Sequence, residues 1–294
     1  AAFAETYHYT KGGGASGGAN DQSGAPWYEK ALWGLYDTPC YARSLCSNVP
    51  FVGYNGADDD STYPQSTSIM EAAFAEHGAR MELILAPDTP HEYEGTALTE
   101  VLRRMQRHIA AGRNNEPDEV RLQTRTLRYA SAHWLEITGL EEHWTDSQLD
   151  ALRHHPTAGP EGADSSQLLV TTTNVTSFTA RAHSSFDGVQ IIVDGQAVSP
   201  PSAAQMATAH LRRDEDSGAW SWVESREALW PAGGLHKVPG LQGPIDDAFM
   251  SRFCFVRPLA TESMGAAEQW AEFEMEHAIH RWEAVRMWHR LCLL

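Results

Sequence analysis

Asp59 and His91 each stand in a polar loop that follows a short apolar run. A carboxylate and an imidazole in that order are two of the three groups of acyl-transfer catalysis. The imidazole takes a proton from a nucleophilic hydroxyl, and the carboxylate fixes its tautomer and stabilises the imidazolium that forms. For the third group the sequence offers Gly14-Ala15-Ser16-Gly17-Gly18, a Gly-x-Ser-x-Gly pattern. Such a serine works at a sharp turn between a buried strand and a helix. Tyr7 to Gly13 before Ser16 and Asn20 to Gly24 after it supply neither, so Ser16 reads as a chance match within a Gly-rich surface loop, Lys11–Ser23.

Three consecutive carboxylates, Asp58, Asp59 and Asp60, crowd the acid position. Like charges in contact raise one another's pKa, so one of the three is expected to be enclosed and ionised and its neighbours to face solvent. Other constellations carry less. Glu276 and His280 lie one helical turn apart with His277 between them, but no third ligand stands at matching spacing and an ion pair is the simpler reading. Asp246-Asp247 sits in a Gly/Pro-rich loop that reads as a tight turn, His154-His155 precedes Pro156, and Asn174-Val175-Thr176 fits a glycosylation sequon. Cys40, Cys46, Cys254 and Cys292 have neither zinc-site spacing nor the density of a disulfide scaffold.

The elements that must position Asp59 and His91 follow from apolar patterning. Trp27 to Cys46 reads as two short helical stretches broken at Pro39. Val49–Tyr54 is a short continuous apolar run of the kind found in strands buried on both faces of a parallel sheet, and Met81–Ala86 reads as a second strand. A helix is expected over Ser66–His77, with Ile69, Ala72, Ala73 and Phe74 inward and Gly78 as its stop. Another is expected over Gly95–Ala111, with Leu98, Val101, Leu102, Met105 and Ile109 inward. Strand, loop, helix, twice over, gives parallel pairing, and ligands gather at the carboxyl ends of such strands. That is where Asp59 and His91 fall.

From Glu119 the period changes to alternation, at Val120–Tyr129, Trp134–Ile137, Leu168–Thr172 and Val189–Val193, which predicts antiparallel strands. Pro200-Pro201 marks a boundary, followed by an irregular, Trp-rich stretch to Gly243, a buried strand at Phe253–Val256 and a last helix over Ala266–Arg290. The expected division is a partial parallel α/β domain over 1–117, a β-rich accessory module over 118–200, and a segment over 201–294 with strand and helix. Trp220, Trp222 and Trp230 suit a core, or else a carbohydrate-stacking surface.

Particular runs resemble the bacterial prolyl oligopeptidase-like serine hydrolases, of the α/β-hydrolase superfamily. They are Ala2-Phe3-Ala4-Glu5-Thr6, Leu32–Asp37, Tyr54–Asp59 and Pro87–Tyr93, then Thr126–Tyr129, His133-Trp134, Gly139–Trp144 and Lys237–Phe249, the most specific. The resemblance implies the C-terminal part of an α/β-hydrolase sheet, with Asp59 as triad acid and His91 as general base. It also implies a catalytic serine encoded before Ala1, so that the chain alone is inactive, a peptide or ester substrate, no metal or organic cofactor, and a secreted or periplasmic setting. The tract Lys11–Ser23 departs from the pattern as an insertion.

Composition narrows the partners. With 22 Lys and Arg against 39 Asp and Glu, the net charge is −17, and no basic stripe is present to meet nucleic-acid phosphates or an anionic membrane surface. No apolar run approaches bilayer-spanning length. A non-catalytic glycan- or protein-binding module is the alternative that the same residues leave open.

Overall fold

The computed structural model describes residues 26–35, 37–59, 66–154, 166–182, 185–200, 207–230, 234–243, 245–249, 251–256 and 265–285. Ser16, Asp60, His155 and Cys292 lie outside them. Contacts divide the chain into two units, Ala1–Gln242 and Gly243–Leu294.

The first unit begins with α1 (Trp27–Gly34), a 3-10 turn at Thr38–Tyr41 and α2 (Ala42–Asn48). The sequence break at Pro39 is that turn. β1 (Val52–Gly56) and β2 (Glu82–Ala86) pair in parallel, Val52 opposite Glu82 and Gly56 opposite Ala86. α3 (Ser66–Glu76) follows β1 and α4 (Gly95–Ala111) follows β2. α3 buries Met70, Ala73 and Phe74, which cluster with Ala42 and Met81. α4 sends Ala97 and Val101 onto Ile84 and Ala86. Gly78 ends the α3 segment at φ +72°, a left-handed conformation that glycine adopts without a Cβ penalty.

Three expectations change here. β1 runs through Asn55-Gly56 instead of stopping at Tyr54, and most of its residues are only half-buried, because among the described residues the sheet has two strands and β1 pairs with β2 alone. Ala72 faces outward. Leu102, Met105 and Ile109 form an exposed stripe on α4, Ile109 at 73%, since a two-stranded sheet is too narrow to reach the outer half of the helix's apolar face.

The main core lies further on, where the alternation is strongest. One sheet has the order β10-β9-β7-β6-β3, from β3 (Glu119–Thr124), β6 (Ser147–His154), β7 (Gln167–Thr173), β9 (Gln190–Val193) and β10 (Gln196–Val198). The other has the order β12-β11-β8-β5-β4, from β4 (Ser131–Ala132), β5 (Leu135–Leu140), β8 (Val175–Arg181), β11 (Thr208–Arg213) and β12 (Trp220–Val223). All pairs are antiparallel except β7 with β9. One hydrophobic cluster takes Leu122, Leu149 and Ile191 from the first sheet and Ile137, Phe178 and Leu211 from the second, so the sheets pack face to face. Each such side chain contributes about 1.5–3 kcal/mol by leaving water.

The β-rich module therefore does not end at residue 200. β11 and β12 complete the second sheet, and Trp220 and Trp222, at 4% and 7% exposure, belong to its core. That rules them out as a stacking surface.

α2 covers the open edge of β3. Ser44 Oγ donates to the Gln123 carbonyl and accepts from the Gln123 N–H, at 2.9 and 2.6 Å. Asn48 Nδ2 donates to the Arg121 carbonyl at 2.6 Å, and Arg43 forms a two-pronged ion pair with Asp150 on β6. Edge-strand groups that would otherwise be open to another chain are thereby occupied.

The second unit holds a 3-10 turn at Ile245–Phe249 and α5 (Ala266–Val285). Residues 253–256 form no strand, Cys254 and Val256 being exposed. The apolar run serves aromatic packing instead: the Phe253 ring meets Trp282 of α5 at 4.8 Å and Phe249 at 5.0 Å, both edge to face. The expected C-terminal α/β segment is thus helix and turn among the described residues.

Candidate active site

Parallel pairing of β1 and β2 brings their carboxyl ends side by side, and the following loops are stitched together by backbone. Ala57 N–H donates to the Ala86 carbonyl at 2.8 Å and Asp58 N–H to the Thr89 carbonyl at 2.9 Å. Asp59 comes next. His91 Nδ1 lies 3.2 and 3.0 Å from its two carboxylate oxygens. The two side chains singled out from sequence meet at hydrogen-bonding distance.

Their environments differ as an orienting acid and a working base require. Asp59 is 7% exposed, whereas the His91 side chain is 56% exposed. With an ionised Asp59 accepting, Nδ1 carries the proton and Nε2 is left as the acceptor; among the described residues Nε2 has no hydrogen-bond partner. Asp58 faces solvent, which leaves Asp59 as the enclosed carboxylate.

The loop carrying His91 is held at both ends. Tyr54, on β1, donates its hydroxyl hydrogen to the Glu92 carbonyl at 2.8 Å and accepts from Glu94 N–H at 3.2 Å. Its ring stacks on Tyr93 at 4.6 Å. Glu94 then caps α4, accepting from the N–H groups of Thr96 and Ala97 at 2.9 and 2.8 Å. Those donors hold its carboxyl below the usual glutamate range. Thr89 Oγ1, nearly enclosed, closes a local turn onto the Pro87 carbonyl at 2.8 Å.

Sequence reasoning missed Tyr54, Glu94 and the loop stitching. Glu94 had a signal, an acidic residue just ahead of Gly95-Thr96-Ala97. Tyr54 had none, because its role depends on register with β2.

A cavity of about 350 Å³ opens beside this pair, lined by Asp59, His91, Ser66 and Thr67, by Phe51 and by the length of β1.

The other candidates are placed apart. Asn174 spends its side chain on structure: Nδ2 donates to the Glu142 carbonyl, Thr145 Oγ1 and Ser147 Oγ at 2.7–2.9 Å, and Oδ1 accepts from Glu142 N–H at 2.7 Å. A glycan there would break that hub. His277 lies near Glu274 and receives a hydrogen bond from Arg281. Among the described residues no three His, Cys, Asp or Glu side chains gather as a metal site. Asp247 lies in the 3-10 turn of the second unit. Lys237 to Gln242 forms a tight turn in which Val238 and Leu241 bond to each other and Gly240 takes φ +89°. Pro239-Gly240 are the residues a type II turn asks for at its two central positions.

Comparison of the chain with models of known protein families, with curated proteins and with solved structures finds no match.

Proposed function

We propose that Asp59 and His91 are the acid and base of a serine hydrolase, a peptidase or esterase of the prolyl oligopeptidase-like type, working through an acyl-enzyme. The observation that carries this reading is the hydrogen bond between an enclosed carboxylate and an exposed imidazole at the carboxyl ends of adjacent parallel strands. His91 Nε2 takes the serine proton as the oxygen attacks the acyl carbon, Asp59 stabilises the imidazolium, and the proton then passes to the leaving group. Water repeats the sequence on the acyl-enzyme.

In this proposal the serine is supplied by a strand and turn that the described residues do not include. Among the described residues β1 pairs with β2 alone and the stripe on α4 is uncovered, which supports this, because a parallel sheet is ordinarily buried on both faces and wider than two strands. The α/β-hydrolase arrangement belongs to this proposal.

The test is fluorophosphonate labelling of the chain extended upstream through a Gly-x-Ser-x-Gly turn. Labelling is expected at that serine, lost in His91→Ala, with turnover lowered about 10⁴-fold in Asp59→Asn, as for other triads. Labelling at Ser16, or labelling indifferent to His91, would overturn the assignment.

A further inference from the structure

The outer face of the second sheet carries polar residues where β5, β8 and β11 meet, and it is partly roofed by the segment 225–230. Arg226 anchors that roof by a two-pronged ion pair to Glu136, at 2.7 and 2.6 Å. Leu229 is buried beneath it. Beside the roof a cavity of about 560 Å³ opens to solvent, within the range of roughly 300–1,000 Å³ typical of small-molecule sites.

Its walls are of two kinds. Trp230 lines one side and commits its Nε1–H to the Thr138 carbonyl at 3.3 Å, so the indole meets the cavity with ring carbon. Leu235 stands fully exposed at the rim. Opposite are hydrogen-bonding groups. His143 lines the cavity, and among the described residues its ring has no hydrogen-bond partner. Burial, with Lys237 nearby, holds it neutral at pH 7, so one ring nitrogen donates and the other accepts. Arg212 gives one Nη to the Ala228 carbonyl at 3.2 Å; among the described residues its other N–H groups have no hydrogen-bond partner. At the floor the Thr176 and Ser177 hydroxyls close over Gly139, where a Cβ would stand 2.5 Å from Thr176 Oγ1 and 2.6 Å from Ser177 Oγ.

The charges are mixed. Arg212, Arg213 and Lys237 are offset by Glu141 and by the exposed turn Asp214–Asp216, and Arg213 is paired with Glu141 at 2.5 Å. An anion would meet carboxylates here, and a purely apolar ligand would strand the imidazole and guanidinium. A polyol suits both walls: its hydroxyls donate and accept, and its C–H face lies against an indole. We propose that this cavity is a binding site for a neutral saccharide, independent of Asp59 and His91.

The purified chain would be titrated with neutral trisaccharides (maltotriose, cellotriose, xylotriose, mannotriose) and with the anionic trigalacturonate, by isothermal calorimetry and saturation-transfer NMR. Saturable binding of at least one neutral trisaccharide is expected, weakened about tenfold by His143→Leu and largely restored in His143→Gln, which keeps a donor and an acceptor. His91→Ala is expected to leave it unchanged, which separates failure here from failure of the hydrolase reading. Circular dichroism and a thermal melt check that each variant folds. No neutral binding at millimolar sugar, preference for trigalacturonate, or affinity unchanged in folded His143→Leu would overturn the proposal.

Discussion

Gly56 has no room for a side chain against Thr89: a Cβ built on it would stand 2.3 Å from the Thr89 carbonyl oxygen and 2.4 Å from that of Pro90. Both obstacles are backbone, so nothing flexible can move aside. This contact lets the loop after β2 fold back over the end of β1 and carry His91 to Asp59. Gly56→Ala is expected to push the loops apart, lowering stability by about 1–3 kcal/mol and abolishing the Asp59–His91 bond. Urea unfolding reads the first effect, and loss of a downfield His91 Nδ1 proton in NMR reads the second.

Tyr54 holds the same loop from the opposite side. Tyr54→Phe keeps the stacking on Tyr93 and removes only the hydroxyl between the Glu92 carbonyl and the Glu94 N–H. The expected cost is about 1 kcal/mol. Amide hydrogen exchange is expected to quicken over residues 91–95 while the sandwich amides stay protected; equal acceleration in both regions would mean that Tyr54 supports the whole unit instead of the loop.

The two strands, their loops and the pairing of Asp59 with His91 were legible because each rests on local pattern: a short apolar run, a polar turn, a helical stripe. What was not legible depends on width and register. Leu102, Met105 and Ile109 read as inward from spacing alone, and the number of strands available to cover them is not written in the helix. β11 and β12 were hidden because the alternation of Trp220, Ser221 and Trp222 spans too few positions to read, while Phe178 of β8, whose ring meets Trp220, lies about 40 residues earlier. Phe253–Val256 erred the other way, since an aromatic run suits strand pairing and ring packing equally.

Arg43 and Asp150 join α2 to the sandwich, both side chains being mostly withdrawn from solvent at 19% and 27% exposure. Two parallel N–H···O bonds in a partly dry setting are stronger than a surface ion pair. A double-mutant cycle of Arg43→Ala and Asp150→Ala is expected to give a coupling of about 1–2 kcal/mol that survives 0.5 M salt. A coupling near zero would mean that the Ser44 and Asn48 bonds to β3 hold the junction unaided.

His143 ties the sandwich cavity to pH. Burial, and secondarily Lys237, lowers its pKa from 6.5 to about 4. The unfolded chain therefore binds a proton between pH 6.5 and 4 that the folded chain refuses, and stability falls as pH falls through that window. The full contribution is present above pH 6.5. Half-burial makes it on the order of 1 kcal/mol after screening. His210 is shifted the same way, by burial first and Arg226 second, so it adds a slope of the same sign. In His143→Gln the urea midpoint is expected to vary less between pH 4 and 6.5 than in the parent, retaining only the part from His210 and the carboxylates. An unchanged slope would show that the His143 ring is hydrated and titrates freely.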